Sequence, residues 1–496
     1  MTFSEALFDI IHREPDKPIL EFRRRVFTKG EYAALADQAV RLLDDAGLAK
    51  RLSIGVIVRN RALHAAAMLG LIAHDRWLTS IYAIQSDEAI AEEIRESRFA
   101  AIIADAQDWT GPVTAAAKDV GALGIVLDHG ALGEAGAGPI RVKTGLAVPG
   151  HGPFREVEGE PGLEILSSGT TGKPKRVVFP TRMLIRTVES VMAGREGPVE
   201  PDINAWPYGG IGGMCALVAN AMLDRYTCLL EKFTVDVWVE AVGRLRPTIV
   251  SGVPTMARMI LDAKVPKEQI ASVRRFYGGS APMTPELQAE FEATYGIEVL
   301  WGYGATEFCG TVISWTPALY RDYRRTKLGA MGKALPGISL RVTDPATDKP
   351  MPTGAQGILE VMVPTVSEGW IRTTDLVVID ADGFVFHKGR ADGAIMRGGF
   401  KVLPETVVEV LRRHPAVLDA AVVGLPDERL GAVPVAAVEL KAHAVAPIPE
   451  TLRDFVRGEL TQPQVPARIE ILPALPRTAS LKVDLGAVKR MLLDAD

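Results

Sequence analysis

Short apolar, β-branched runs alternate along this chain with longer stretches whose apolar residues recur every three or four positions. Ser53–Val58 reads as a buried strand, Ala62–Ala73 as a helix with a wide apolar face, and Glu88–Ser97 as a second helix. Phe99–Ala104 and Gly124–Leu127 read as further strands. Strands alternating with helices imply βαβ units around a parallel sheet. The rhythm returns with strand Thr227–Leu230, helix Val235–Leu245, strand Thr248–Gly252 and helix Thr255–Ala263. Between the two layers, residues 133–162 are rich in Gly and Pro and predict an irregular surface connection. Thr284, Pro285 and Glu286 predict a helix start with a capping hydroxyl, a first-turn proline and an early carboxylate. Leu287, Phe291 and Tyr295 form its apolar stripe, Gly296 ends it, and Ile297–Trp301 reads as a strand.

From about Leu328 to His387 the pattern changes to strands separated by turns, at Ile338–Val342, Gly357–Val363 and Leu376–Ile379. After Arg390 come helix Pro404–Arg413, strands Val417–Val423 and Val435–Leu440, and helix Thr451–Leu460, a plausible domain of about 100 residues. At 496 residues the chain exceeds the roughly 250–300 at which single cores stop growing. The fold class expected is α/β. A large N-terminal domain, 1–390, holds two α/β subdomains plus a small β unit, and a small mobile α+β domain, 391–496, follows.

Composition narrows the function classes. With 47% apolar and 24% charged residues, a net charge of −5 and no long basic run, nucleic acid is not the expected partner. Cys215, Cys228 and Cys309 lie far apart, so neither a disulfide framework nor a zinc motif is suggested. The N-terminus carries Glu5, Asp9, Glu14 and Asp16 without a long apolar core, and runs such as Ala65–Ala73 are too short to span a bilayer. No transmembrane segment and a cytoplasmic location are expected.

The densest chemistry lies at residues 167–175, Ser-Ser-Gly-Thr-Thr-Gly-Lys-Pro-Lys. Glycines let a backbone approach closely, hydroxyls and amides donate to anionic oxygens, and lysines neutralise charge. The plain alternative is a solvated loop, but this density favours a polyphosphate site. It is not a Walker loop: Gly169 is too close to Gly172, and Pro174 stands in the Ser/Thr place. Four further segments have both a bland and a chemical reading. In Tyr303-Gly304-Ala305-Thr306-Glu307 the carboxylate is either solvated or a magnesium ligand beside phosphate. In Arg372-Thr373-Thr374-Asp375 the aspartate is either a turn residue or an acceptor for a ribose diol. Gly389-Arg390-Ala391-Asp392 is a linker or a hinge, and Lys482, after Pro476-Arg477-Thr478, is an exposed or a catalytic lysine.

Taken in order, these segments resemble the adenylate-forming superfamily, which includes acyl- and aryl-CoA ligases, firefly luciferase and the adenylation domains of peptide synthetases. The resemblance runs from roughly Ser53 to the end of the chain. It implies that Ser168, Gly169, Thr170, Thr171, Gly172, Lys173 and Lys175 form the loop that holds the β- and γ-phosphates. Gly279, Ser280, Ala281 and Pro282 border adenine, with Tyr303 and Gly304 beside it. Thr306 contacts the α-phosphate and Glu307 the magnesium. Asp375 and Arg390 bind the ribose, Asp392 is the hinge, and Lys482 reaches the substrate carboxylate and the α-phosphate. The acyl pocket falls at Tyr208, Gly209, Gly210, Gly278, Trp301 and Gly302. Gly398 and Gly399, after the hinge, either let pantetheine pass or form a hairpin turn.

The implied reaction is ATP-dependent activation of a hydrophobic aryl or fatty carboxylic acid, then thioester formation with CoA, releasing AMP and pyrophosphate. ATP, Mg2+ and CoA are the implied cofactors, and a homodimer is left open. Two alternatives stay beside it: loading of a carrier-protein phosphopantetheine, and a non-catalytic nucleotide-binding protein of the same fold. Two departures stand out. Leu481 precedes the lysine where the family usually has glycine. Gly209 and Gly210 fall where many relatives carry an aromatic residue and a histidine, so either the pocket is enlarged or a neighbour such as Tyr208 or Trp301 closes it.

Overall fold

The computed structural model describes residues 1–133, 138–167, 175–192, 199–281, 283–397, 400–427, 429–442, 444–478 and 481–494. The expected phosphate-loop residues Ser168 to Lys173, with Pro282, Gly398 and Gly399, lie outside them. The chain forms two compact units. The first gathers most residues up to Asp322; the second gathers Ala281–Glu286 and everything from Tyr323 onward.

The first unit is built on a seven-stranded sheet. Its order is Ile140–Val142, Leu123–Leu127, Ala101–Asp105, Ser53–Val58, Trp77–Tyr82, Gly162–Ser167 and Lys175–Pro180. The five central strands run parallel and the two outermost pair antiparallel. Every residue of Ser53–Val58 is buried, as expected for a strand covered on both faces. Helix Ala62–Ala73 is buried all round, and Lys29–Asp45 lies so close that a Cβ on Gly70 would stand 2.5 Å from the Ala36 carbonyl oxygen. From Ser53–Val58 the chain passes to one side, to Trp77–Tyr82, and then to the other, to Ala101–Asp105. The strand order therefore reverses there.

Two smaller sheets complete this unit. One has the order Asp202–Asn204, Thr227–Leu229, Pro18–Phe22, Arg25–Thr28. The other runs Ile249–Gly252, Arg275–Gly278, Glu298–Ala305, Gly310–Ser314. Three expectations are corrected here. The strand read as Ile297–Trp301 continues to Ala305, because its glycines pair against Gly310–Ser314. The helix that the sequence predicts over Met214–Leu223 starts earlier, at Ile211, and Gln288 rather than Leu287 joins Phe291 and Tyr295 in the buried face of Pro285–Tyr295.

In the second unit Ser339–Thr343, Gln356–Met362, Ile371–Ile379 and Val385–Arg390 form an antiparallel sheet. Residues 372–375 thus lie inside a strand instead of ahead of it. A second sheet joins Phe400–Val402, Ile395–Arg397, Gly431–Leu440 and Val417–Asp427, with Arg468–Leu472 parallel to Gly431–Leu440. Alternation along Val417–Asp427 sends Ala420 and Val422 into a core with helices Pro404–Arg413 and Pro449–Glu459. The intervening Ala421, Val423 and Leu425 pack with Val488 and Leu492 of helix Leu485–Asp494. Among the described residues no helix is long and apolar enough to cross a membrane.

Candidate active site

In the first unit, strands Arg275–Gly278 and Glu298–Ala305 run parallel and bring Gly278 beside Trp301. The indole lies over that glycine: a Cβ there would stand 2.2 Å from the ring and 2.6 Å from the Gly252 carbonyl oxygen. Only glycine fits. Trp301 is buried and parallel to Phe276, with ring centroids 6.4 Å apart. Gly302 is buried, Tyr303 is half-buried with its ring 6.2 Å from Phe308, and Gly304 follows on the same strand. The strand then ends in a single 3-10 turn, Thr306–Phe308, with Thr306 half-exposed and Glu307 exposed. Among the described residues Glu307 has no ion-pair partner. Gly279 follows Gly278, and Ser280 holds a left-handed backbone with φ of 72°. The strands Gly162–Ser167 and Lys175–Pro180 flank the expected phosphate loop and pair Ser167 with Lys175.

The Trp206–Gly213 segment joins these strands. The Trp206 indole N–H donates to Ser251 Oγ at 3.0 Å, on the strand beside Arg275–Gly278. Tyr208 does not wall an open pocket. It is buried, its amide donates to Asn60 Oδ1 at 2.8 Å, and it lines an apolar cavity with Tyr32, Leu69 and Leu217. The ring facing the two glycines is Tyr82, at the carboxyl end of Trp77–Tyr82. A Cβ on Gly209 would lie 2.9 Å from Tyr82 Cε1, and one on Gly210 3.3 Å from its hydroxyl. Tyr82 thus takes the space that the missing side chains leave, and burial raises its phenol pKa. Its strand was not read from the sequence. A side chain closing a parallel strand at its carboxyl end is the signal that could have found it.

In the second unit Asp375 and Arg390 are cross-strand partners. Asp375 is buried; its Oδ1 lies 3.3 Å from His387 Nε2 and 3.7 Å from the Arg390 guanidinium. Arg390 donates to the Thr374 hydroxyl and binds Asp392 in a two-pronged pair, both contacts at 3.0 Å. Lys482 belongs to the same group. Burial lowers its pKa below the usual lysine value, the nearby Arg390 charge lowers it further, and Asp375 opposes them. Just before it, Leu481 holds φ of 61°, in the left-handed region. The turn is tied by the Leu481 amide on the Thr478 carbonyl at 2.9 Å and the Thr478 amide on the Lys482 carbonyl at 2.8 Å. Glu405, at the start of Pro404–Arg413, was not singled out in the sequence. A Cβ on Gly389 would lie 2.9 Å from its Oε2, and burial raises its pKa.

The second unit therefore brings together Asp375, Arg390, Asp392 and Lys482, and the first brings together Gly278 to Ser280 with Trp301 to Glu307. Ala281 is half-buried.

A family model described as AMP-binding enzyme matches residues 7–371, and one described as AMP-binding enzyme C-terminal domain matches 407–482. The chain is 31% identical over 349 residues to a 2-succinylbenzoate–CoA ligase of Bacillus cytotoxicus, covering 66% of this chain and 69% of that one. It is 29% identical over 346 residues to a fatty acid–[acyl-carrier-protein] ligase of Streptomyces coeruleorubidus, covering 65% and 66%. Among solved structures, the ATP-bound RpMatB-BxBclM chimera B3 superposes with a TM-score of 0.84 at 25% identity, covering 99% of both chains. The match begins well before Ser53, where the sequence resemblance first became visible. The chain belongs to the AMP-binding enzyme family and is a carboxylate–CoA ligase of the adenylate-forming type.

Proposed function

We propose that the chain activates its acid on ATP with Lys482 as the cation that lets two anions meet. The observation that carries this reading is the second unit's grouping of Lys482 with Asp375 and Arg390, where burial and a neighbouring guanidinium already act on the ammonium. A substrate carboxylate oxygen attacks the α-phosphorus of ATP. An oxygen–phosphorus bond forms, the bond to the β-phosphate oxygen breaks, and pyrophosphate leaves with its electron pair. Lys482 neutralises charge on both reactants as they approach, and Thr306 donates to an α-phosphate oxygen. Asp375 and Arg390 hold the ribose, and residues 168–175 hold the β- and γ-phosphates. A magnesium ion fits the exposed Glu307 carboxylate, which has no ion-pair partner among the described residues, since it takes one or two carboxylates together with substrate phosphates and, when bound, neutralises phosphate charge. In the second half-reaction the CoA sulfur attacks the acyl carbon and AMP departs. Residues 391–496 turn about Asp392 between the two steps, and the Gly398–Gly399 segment faces the thiol.

The acid is hydrophobic and flat, of the aryl type. The segments 206–213, 277–279 and 301–304 carry aromatic, apolar and glycine residues and no charged side chain. Tyr82, Trp206 and Trp301 supply flat walls, and an aryl acid appears in the name of the Bacillus relative. The Streptomyces relative keeps a carrier-protein acceptor as the second reading. ATP and CoA as substrates fit a cytoplasmic enzyme. The test is a panel of aryl and fatty acids scored for acid-dependent pyrophosphate release, then for thioester with free CoA or with a carrier-protein phosphopantetheine. Aryl acids with free CoA are expected to lead. Turnover with the carrier protein alone selects the second reading, and no acid-dependent pyrophosphate from any acid refutes both.

A further inference from the structure

Three side chains that the nucleotide chemistry does not use meet at the carboxyl ends of parallel strands in the first unit. His64 is the third residue of helix Ala62–Ala73, which follows Ser53–Val58; Asp105 ends Ala101–Asp105; His129 sits in the turn after Leu123–Leu127. The strand order reverses between Ser53–Val58 and Ala101–Asp105. The crevice outside the carboxyl ends at such a reversal is where open α/β sheets bind ligands.

The ligand atoms of the three residues all lie within 4.8 Å of one another. His129 Nδ1 is 3.2 Å from Asp105 Oδ2, close to the edge of about 3.3 Å that tetrahedral coordination with bonds of about 2.0–2.1 Å requires. The two imidazoles lie nearly parallel, with centroids 5.8 Å apart. His64 is 0% exposed, and among the described residues neither of its ring nitrogens has a hydrogen-bond partner. A buried imidazole with both nitrogens idle is unfavourable unless something else satisfies one of them. Burial, with His129 and the arginines nearby, pushes its pKa down to about 3, so it stays in the neutral form that ligates metals.

The surrounding charges are matched. Arg61 donates to Asp105 Oδ2 at 2.8 Å and to Glu231 at 2.6 Å, Arg23 also binds Glu231, and Arg59 binds Asp108. The Gln107 amide donates to Asp105 Oδ1 at 3.2 Å. The Leu63 amide donates to His129 Nε2 at 3.2 Å, so Nδ1 carries the proton that faces Asp105. Coordination through Nδ1 moves that proton to Nε2 and gives up the long Leu63 bond, leaving Asp105 shared between Arg61 and the ion.

We propose that His64, Asp105 and His129 form a site for a divalent transition metal of the zinc type, separate from the magnesium of the adenylation reaction and independent of it.

The test uses the full chain, stripped with chelator, without ATP. Zn2+ alone is titrated by calorimetry, and Co2+ alone by visible absorption. One equivalent of Co2+ with the intense visible band of tetrahedral coordination, bleached by Zn2+, is expected. Zn2+ should raise Tm by about 2–4 °C. His64→Ala should weaken Zn2+ binding by more than the about 10–100-fold that loss of an outer-shell partner costs. Asp105→Asn is the second variant, should His64→Ala fail to fold. His12→Gln removes one of the two half-exposed histidines that flank Asp37 and should change nothing. Absence of stoichiometric Co2+ binding to the unaltered protein overturns the proposal by itself. So does binding that survives His64→Ala and Asp105→Asn but is lost in His12→Gln.

Discussion

Lys482 stands where its charge is under pressure from burial and from Arg390, so it loses its proton at a lower pH than an ordinary lysine. In the proposed adenylation step the ammonium form is the one that acts. Its rate should therefore fall on the alkaline side through a limb below the usual lysine range, and Lys482→Arg should move that limb upward. Lys482→Ala should nearly abolish acid-dependent pyrophosphate release while ATP binding, read by calorimetry, changes little. Leu481 explains how the chain manages without the usual glycine: it adopts the left-handed backbone anyway, at φ of 61°. That conformation costs a non-glycine residue about 1–2 kcal/mol, part of which glycine would give back through its unfolded-state freedom. Leu481→Gly should raise stability by up to about 1 kcal/mol in urea unfolding and keep adenylation intact. Tyr82→Ala should empty the space over Gly209 and Gly210. The ratio of kcat/KM for bulky over small aryl acids should then rise, and an unchanged ratio removes Tyr82 from the pocket wall.

At the scale of elements, the sequence was most readable where strands are covered on both faces. Beyond Ser53, whose hydroxyl bonds the Thr79 hydroxyl, Ser53–Val58 is a continuous apolar run, as is Leu123–Leu127, because an unpaired polar group is costly there. Strands that carry candidate site residues break the apolar pattern and read shorter than they are. The pattern shows Ile371–Ile379 only from Leu376, since Arg372 to Asp375 break the apolar run, and glycines hide the end of Glu298–Ala305 beyond Trp301. The first fifty residues went unread although both their helices open with capping boxes, Thr2 with Glu5 and Thr28 with Glu31. Strand Pro18–Phe22 pairs with Thr227–Leu229, about two hundred positions away, and no local pattern announces such a partner. Motif order points to Asp375, Arg390, Asp392 and Lys482, which the second unit groups; the company of His387 and Glu405 comes only from packing. Glu405 carries the element-scale prediction. Its raised pKa means the folded state holds its proton more tightly than the unfolded chain, so its contribution to stability is full below the unfolded value and is lost as pH rises through the folded one. Glu405→Gln should thus gain Tm over the parent as pH rises from the ordinary carboxylate range through the raised value, and a difference independent of pH would contradict this.

For the whole molecule, the proposed rotation of residues 391–496 rests on the short connection around Asp392. Asp392→Pro should fix one φ there and uncouple the half-reactions, keeping either pyrophosphate release or thioester formation from supplied acyl-adenylate while losing the other. Equal retention of both would remove the hinge. The pairing of Arg390 with Asp392 carries a consequence of its own. One guanidinium holds the proposed pivot residue and is the proposed handle for the sugar, so the two tasks compete for the same donors. Whatever draws Arg390 toward nucleotide slackens the pivot, and by thermodynamic reciprocity a slackened pivot tightens the grip on nucleotide. Asp392→Asn, which keeps the shape and removes the charge, then sharpens ATP affinity, and the empty enzyme is the stiffer of the two states.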